Sequence, residues 1–498
     1  MTGIRMSILV TVTIAAWADP RPPARSTAVV AELQHATISA LAADGAGNIY
    51  AVGTTGSKEF ATTPNALKRY CDGGANCFTD AVVVRIGSQG DLTYATYLGG
   101  TSNETGNALA VDRDGNMYVA GTTWSQDYPV TRSVVTPRPA QQGFVTKISP
   151  EGRIVFSTTL GGEGIRGIAL DDEGAVYVTG FAYSTSVPMV NAIQPVIRSA
   201  PDAFIAKLAP DGSRVLLSTY LGGSGSDVAY AIAVDSVGGV AIAGSTASAD
   251  FPVVRAVQPQ YAGGFFDAFV ARLAPDGSFL EFSTLLGGQD QDIARAVALD
   301  QKGGVYVVGA TKSPDFPITE GALDRTCGTD AKCDPHEIIS RGRSSVVPYL
   351  DGFLTGLTNR GDWRFSTFLG GAAYDEARAL GLGADGRVVL AGFSTSKDFA
   401  AERPVVCDDE LTCPTFVVQV DESGSTLLAA DRPPVTANYA PMFDEVGMAL
   451  DPNGSVLLAT NTHGTATIVR FSSTPNRTSL PCRGTDFLLP PRRTCNPQ

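Results

Sequence analysis

Apolar and polar positions along this chain alternate in short runs broken by glycine-containing turns, the period of half-buried strands and not the 3.6-residue period of helices. One phrase recurs, of the form apolar-Ala-apolar-Asp-x-x-Gly-x-apolar-Tyr-apolar-x-Gly. It reads LAADGAGNIYAVG, LAVDRDGNMYVAG, IALDDEGAVYVTG, IAVDSVGGVAIAG, VALDQKGGVYVVG, LGLGADGRVVLAG and, with Thr460 in place of the last glycine, MALDPNGSVLLAT. In each copy two apolar runs flank a four-residue turn where Asp can bond its own backbone and Gly can take positive φ, so each predicts a β-hairpin of strands c and d. The central glycines are Gly47, Gly115, Gly174, Gly238, Gly303, Gly386 and Gly454, separated by 68, 59, 64, 65, 83 and 68 residues.

A second phrase precedes the hairpins from the second copy onward, as in DAFIAKLAPDGSRVLLSTYLGG from Asp202 and DAFVARLAPDGSFLEFSTLLGG from Asp267. It predicts strands a and b around a Pro-Asp-Gly turn, followed by Gly-Gly. Degraded copies begin at Asp80, Gly143, Asp351 and Thr415; a lone strand a stands at ATIVRF from Ala466, and a lone strand b at STAVVAE from Ser26. These two orphans complete a four-stranded unit only by pairing with each other. The pattern therefore predicts an all-β fold, a single seven-bladed β-propeller of four-stranded antiparallel blades over residues 26–471, closed by pairing of the N- and C-terminal strands.

The phrases resemble the bacterial SBBP (seven-bladed β-propeller) repeat, whose consensus looks like DAFVAKL…PDG…STYLGG…GIAVD…GNVYVTG. The likeness runs from about Ser26 to Phe471 and is weakest in the sixth copy, where Gly383 replaces the turn Asp, and in the tail. The resemblance implies a propeller fold and an exported bacterial context, and it carries over no single activity.

Composition narrows the picture further. Gly 54 and Pro 30, with 44% hydrophobic and 17% charged residues, supply many short strands and turns and ample core. A net charge of −13 without any Lys/Arg run repels phosphate backbones, so nucleic acid is excluded as a partner. The first residues, MTGIRMSILVTVTIAAWADP, place Arg5 ahead of an apolar stretch from Met6 to Ala18 that ends with Ala16 and Ala18 in an A-x-A arrangement. This predicts a cleaved secretory signal over residues 1–18, a short linker over 19–25 and a tail over 472–498. The stretch falls short of the roughly 20 residues that cross a bilayer, and no later segment is apolar enough to span. The expected location is secreted or in the cell envelope, periplasmic or extracellular, with no transmembrane segment after signal cleavage.

Eight cysteines in an exported chain point to disulfides. Cys71/Cys77, Cys327/Cys333 and Cys407/Cys413 share one spacing and each pair lies in a long d–a connection, so each closes a local loop; Cys482 and Cys495 are left to pair across the tail. Zinc is the weaker reading, because five residues separate each pair, the pairs sit on different blades, and only His35, His336 and His463 could supplement them.

Alternating strand direction puts the a–b and c–d turns on one face of the ring and the b–c and d–a connections on the other, where length and aromatic content vary. Ligand binding is expected on this second face. There Glu104, Glu163, Asp227, Asp292 and Asp375 each stand eight residues ahead of a c–d turn position. They read either as a partial acidic ring for a cation or basic partner or, preferred, as caps on the amides of their own loops; Asp80, Asp202, Asp267 and Asp351 at the heads of strands a are read alike. Trp124, Tyr128, Tyr183 and Tyr261 in d–a connections could stack on sugars or pack beneath their own loops, packing being preferred. DRDGN at Asp112 lacks the twelfth-position Glu of a calcium loop, and three scattered histidines offer little general base. No catalytic residue, metal ligand or cofactor is assigned. The expected function is a non-enzymatic exported module recognising an extracellular or cell-envelope protein or glycan; the alternative is a carboxylate-based glycoside hydrolase or polysaccharide lyase.

Overall fold

The alternating runs become strands, and all elements among the described residues are strands. The computed structural model describes residues 26–71, 77–134, 141–162, 164–328, 333, 336–340, 343–347, 350–396, 399, 415–431, 447–462 and 464–472. Seven four-stranded antiparallel sheets form, each in the order c, d, a, b. The fourth blade is representative: Asp227–Val234, Val240–Thr246, Asp267–Leu273 and Leu280–Leu286. The c strands of successive sheets touch one another around the whole ring, from Thr37–Ala43 through Gly447–Leu450 and back. Strand c is therefore innermost and lines the axis, a point the repeat pattern had left open.

The two lone strands pair as predicted. Ser26–Gln34 lies antiparallel to Thr465–Ser472, with Ser26 opposite Ser472 and Gln34 opposite Thr465, and completes the blade that contains Gly447–Leu450 and Val456–Thr462. The join is apolar: Leu33, Ala466, Ile468 and Leu457 enter one cluster with Ile38, Val82 and Tyr97 of the adjoining blade.

Between blades, d-strand tyrosines fill the core and reach back to the hairpin turn. Tyr50, Tyr118 and Tyr177 are buried and donate to Asp44, Asp112 and Asp171 at 2.8, 3.2 and 3.1 Å. The same aspartates cap their turns: Asp171 Oδ1 accepts from the Glu173 and Ala175 amides at 3.1 and 2.8 Å. Lys147 and Lys207 lie 4.6 Å over the rings of Tyr118 and Tyr177, which joins turn, strand d and strand a in one network.

Disulfides Cys71–Cys77 and Cys327–Cys333 are formed, and Cys327 and Cys333 pack with Phe316, Phe353 and Phe368. The expected pairs Cys407–Cys413 and Cys482–Cys495 lie outside the described residues. One element was not foreseen: the d–a connection of the fifth blade holds a hairpin, His336–Ser340 with Arg343–Val347. It answers to no copy of the repeat and so carried no periodic signal. Among the described residues no helix is long and apolar enough to cross a membrane.

Candidate functional site

On the face of the b–c and d–a connections, the predicted acids sit at the junctions between blades. Glu104, Asp227, Asp292 and Asp375 are each the first residue of a strand c and fully buried, while Glu163 lies outside the described residues. Each accepts from the second glycine of its own Gly-Gly: Gly100, Gly223, Gly288 and Gly371 donate at 3.0, 2.8, 2.8 and 2.7 Å. A serine two residues beyond strand d adds a hydroxyl, Ser248 to Asp227 and Ser313 to Asp292, both at 2.9 Å, and Ser396 to Asp375 at 2.5 Å. The Gly-Gly is a steric requirement, because a Cβ on Gly287 would stand 2.7 Å from Asp292 Oδ2 and 2.8 Å from Asp267 Cγ.

The preceding blade presses a second acid against each junction. Asp80, Asp202, Asp267 and Asp351, at the heads of strands a, are likewise buried. In the first blade Lys68 Nζ bonds Asp80 Oδ2 at 2.9 Å and the carbonyls of Gly99 and Gly100 at 3.2 Å each. In the third and fourth blades an amide stands in its place, with Gln194 and Gln258 Nε2 at 2.9 and 3.5 Å from Asp202 and Asp267. Burial, aided by the facing carboxylate, pushes Asp227 up to about 6 and Asp292 to about 8, and burial raises Asp267 to about 7. Among the described residues no group of three or more His, Cys, Asp or Glu side chains is placed to hold a metal ion.

The predicted aromatics separate into two kinds. Tyr128 is 2% exposed, tilts on Phe144 with centroids 4.6 Å apart, and bonds Thr146 Oγ1 at 2.9 Å. It is equivalent to Phe251, Phe316 and Phe399, which pack on Phe269, Phe353 and Phe416 in the same way. Its ring is spent on the core and has no face for a ligand. Trp124 and Tyr183 are exposed, and Tyr261, half-buried, donates to the Gly264 carbonyl at 3.0 Å.

A further feature lies on the ring axis. In six c strands the pairing with strand d skips one residue: Ser39, Asn107, Arg166, Tyr230, Arg295 and Arg378. Such a bulge re-aims a side chain, and these six all line one axial cavity of about 260 Å³. Arg295 Nε and Arg378 Nη2 each lie 2.8 Å from a carboxylate oxygen of the buried Glu376, which also accepts from the Tyr374 hydroxyl. Burial would raise Glu376, but the guanidiniums of Arg378 and Arg295 hold it at about 2. Sequence reasoning treated strand c as plain alternation and missed these residues. The signal was present: each stands five residues ahead of the turn position, a polar or large side chain in an otherwise small and apolar strand.

The SBBP family, described as a beta-propeller repeat, matches residues 93–129, 218–252 and 281–317. Each match spans a blade junction, from strand b through Gly-Gly and the junction acid to the aromatic after strand d. No curated protein matches the sequence. Among solved structures, the Neurospora crassa Pan2 WD40 domain is similar at 7% identity and a TM-score of 0.45, over 89% of this chain and 95% of that one. The C-terminal WD40 domain of Sif2 matches at 9% identity and 0.42, over 90% and 99%. A quinohemoprotein alcohol dehydrogenase from Comamonas testosteroni matches at 8% and 0.39, over 89% and 76%.

Proposed function

We propose that this chain, a β-propeller carrying SBBP repeats, is an exported, non-enzymatic module that recognises an extracellular or cell-envelope protein or glycan through the face of its b–c and d–a connections. One observation carries the reading: of six exposed aromatic side chains among the described residues, five stand on d–a connections. These are Tyr70, Phe78, Trp124, Tyr183 and Phe265, with Phe279 alone on the opposite face. Exposed aromatics supply large, stiff contact area at small entropic cost and are enriched where proteins meet partners and sugars. Export is supported by the two disulfides, which persist in oxidising compartments. The turns of the other face are short and nearly interchangeable between blades, whereas the d–a connections differ in length and content, so one face presents a surface without sevenfold repetition.

The test is a screen of the purified protein against polysaccharides and envelope extracts, read for binding and for products. The triple variant Tyr70→Ser, Tyr183→Ser, Phe265→Ser should weaken capture of whatever binds by about tenfold or more, while Phe279→Ser leaves it unchanged. Loss with Phe279→Ser alone would assign the opposite face, and product formation would assign an enzyme.

A further inference from the structure

We propose that the outer strand of the closing blade, Ser26–Gln34, pairs edge to edge with the same strand of a second copy of this chain, joining two rings through one antiparallel eight-stranded sheet. This inference is independent of the aromatic face and concerns the rim of the ring. In each of the first five blades strand b is covered, because the d–a connection of the same blade folds back along it as a strap. In the fourth blade Val254 N–H donates to the Ser283 carbonyl at 2.9 Å, Ser283 N–H to the Val254 carbonyl at 2.8 Å, and Leu285 N–H to the Gln258 carbonyl at 3.2 Å. Thr63, Thr131, Val190 and Thr319 hold the place of Val254 against Ala95, Ser157, Ser218 and Ser366. The last five residues of strand b are buried in all of these blades.

The closing blade has no strap. Its strands d and a, Val456–Thr462 and Thr465–Ser472, are joined by residues 463 and 464 alone, so no connection can fold back. Strand Ser26–Gln34 ends the sheet, and among the described residues its main chain bonds strand a and no other segment. Ala28, Val29, Glu32 and Gln34 are exposed, Val29 at 61%. The groups that serve a strap are missing as well. Val29 and Ala31 stand where Ser283 and Thr284 stand in the fourth blade, and Thr467 replaces Phe269, on which the strap residue Phe251 packs.

Register identifies the occupant. Ser283 and Leu285 turn their amides outward, and the ladder with strand a makes Val29 and Glu32 their equivalents. Strand alternation adds Thr27 and Gln34 to the outward set. The bulge at Val30 divides the edge into two short ladders of equal spacing, Thr27 with Val29 and Glu32 with Gln34. Under a twofold axis Thr27 and Val29 of one copy meet Gln34 and Glu32 of the other, and the two bulges meet at the axis. An unrelated strand would need a matching bulge, whereas a copy carries it by identity. Glu32 is the only charged residue of the strand, and this pairing sets it opposite Val29 of the second copy and not opposite another glutamate. No proline or lysine blunts the edge. Each copy spends the same edge, so assembly stops at two. A nine-residue ladder is about 30 Å long and buries less than a standard interface, so the pair is weak.

The experiment is analytical ultracentrifugation of the full-length protein from about 1 to about 200 µM, where a weak pair forms. The mass should rise from one chain to two, with no larger species, and should rise earlier at higher salt because the net charge of −13 opposes association. Val29→Pro removes an outward amide that strand a does not use, and should abolish the dimer while leaving the closing pair intact. Val29→Lys sets a cation opposite Glu32 at both ends of the interface and should tighten the dimer about fivefold. Val155→Lys, the same charge change on the strapped second blade, should leave the dimer as it was. Amide exchange of the unaltered protein decides the matter even if a variant folds poorly, since Val29 and Glu32 should slow as concentration rises and the strapped strands should not. A single-chain mass at every concentration overturns the proposal, as does a dimer that survives Val29→Pro or loosens with Val29→Lys. Protection of Val29 and Glu32 that is independent of concentration also overturns it, because the edge is then covered from within one chain. The Tyr70/Tyr183/Phe265 variant should dimerise normally, so failure of one reading leaves the other standing.

Discussion

Asp292 and Asp267 face one another across a blade junction without the lysine that Lys68 provides at the first junction. A free Asp titrates near about 4, whereas burial holds Asp292 at about 8 and Asp267 at about 7 in the folded ring. Between those values the folded protein binds more protons than the unfolded chain, so this junction stabilises most below about pH 4 and loses that contribution as pH rises toward 8. Thermal melts from pH 5 to pH 8 should show a falling transition temperature, and Asp292→Asn should flatten the slope; an unchanged slope would mean that the pair is ionised throughout. Glu376 behaves oppositely, since it is held at about 2 by its two arginines. Glu376→Gln removes the carboxylate that Arg295 and Arg378 share at a buried position and should cost about 3 kcal/mol in denaturant unfolding. The turn aspartates were legible in sequence because their bonds are local, two and four residues away. The axial arginines had a local signal too, a fixed place five residues ahead of the turn, but its meaning depends on which strand is innermost, and nothing within one repeat states that.

Among elements, the hairpins and the d–a connections differ in what holds them. A hairpin is fixed by period-two alternation and by a capped turn, both written in consecutive residues, and for that reason the strands were predicted where they lie. The connections are held by long-range contacts: Asp315 accepts from the Gln289 amide at 3.0 Å, and the Gly328 amide donates to Asp351 at 2.7 Å. The small hairpin of His336–Ser340 with Arg343–Val347 is paired locally but lies inside such a connection and answers to no copy of the repeat, so it escaped prediction. Because Cys71–Cys77 and Cys327–Cys333 each close a loop of sequence separation 6, their entropic effect is local. Mild reduction should speed amide exchange in residues 56–79 and 312–328 well before it lowers the global melting temperature; simultaneous loss of both would show that the bridges support the whole ring.

At the scale of the molecule, seven sheets exist because one of them borrows a strand from the far end of the sequence. Deleting residues 463–498 removes Ala466, Ile468, Val469 and Phe471 from two hydrophobic clusters and exposes unpaired strand edges on both sides of the gap. The truncated protein should aggregate or bind hydrophobic dye at temperatures where the full chain is folded, and a monomeric, cooperatively unfolding product would show that six blades suffice. Closure was legible because the two incomplete units are complementary. The axial cavity exists only once the ring has closed.

The register of that closing pair has a mechanical consequence. Ser26 lies opposite Ser472, so the chain enters and leaves the blade side by side, at the end of the ladder on the face of the short turns. Tension applied through sequences on either side therefore pulls the two strands apart from their shared end, one pair of hydrogen bonds after another, instead of shearing all of them together. The ring should open at low force in single-molecule pulling from its natural ends, whereas a circular permutant pulled through new ends in another blade should resist more. Held by either end, the ring also turns its face of long connections away from the point of attachment.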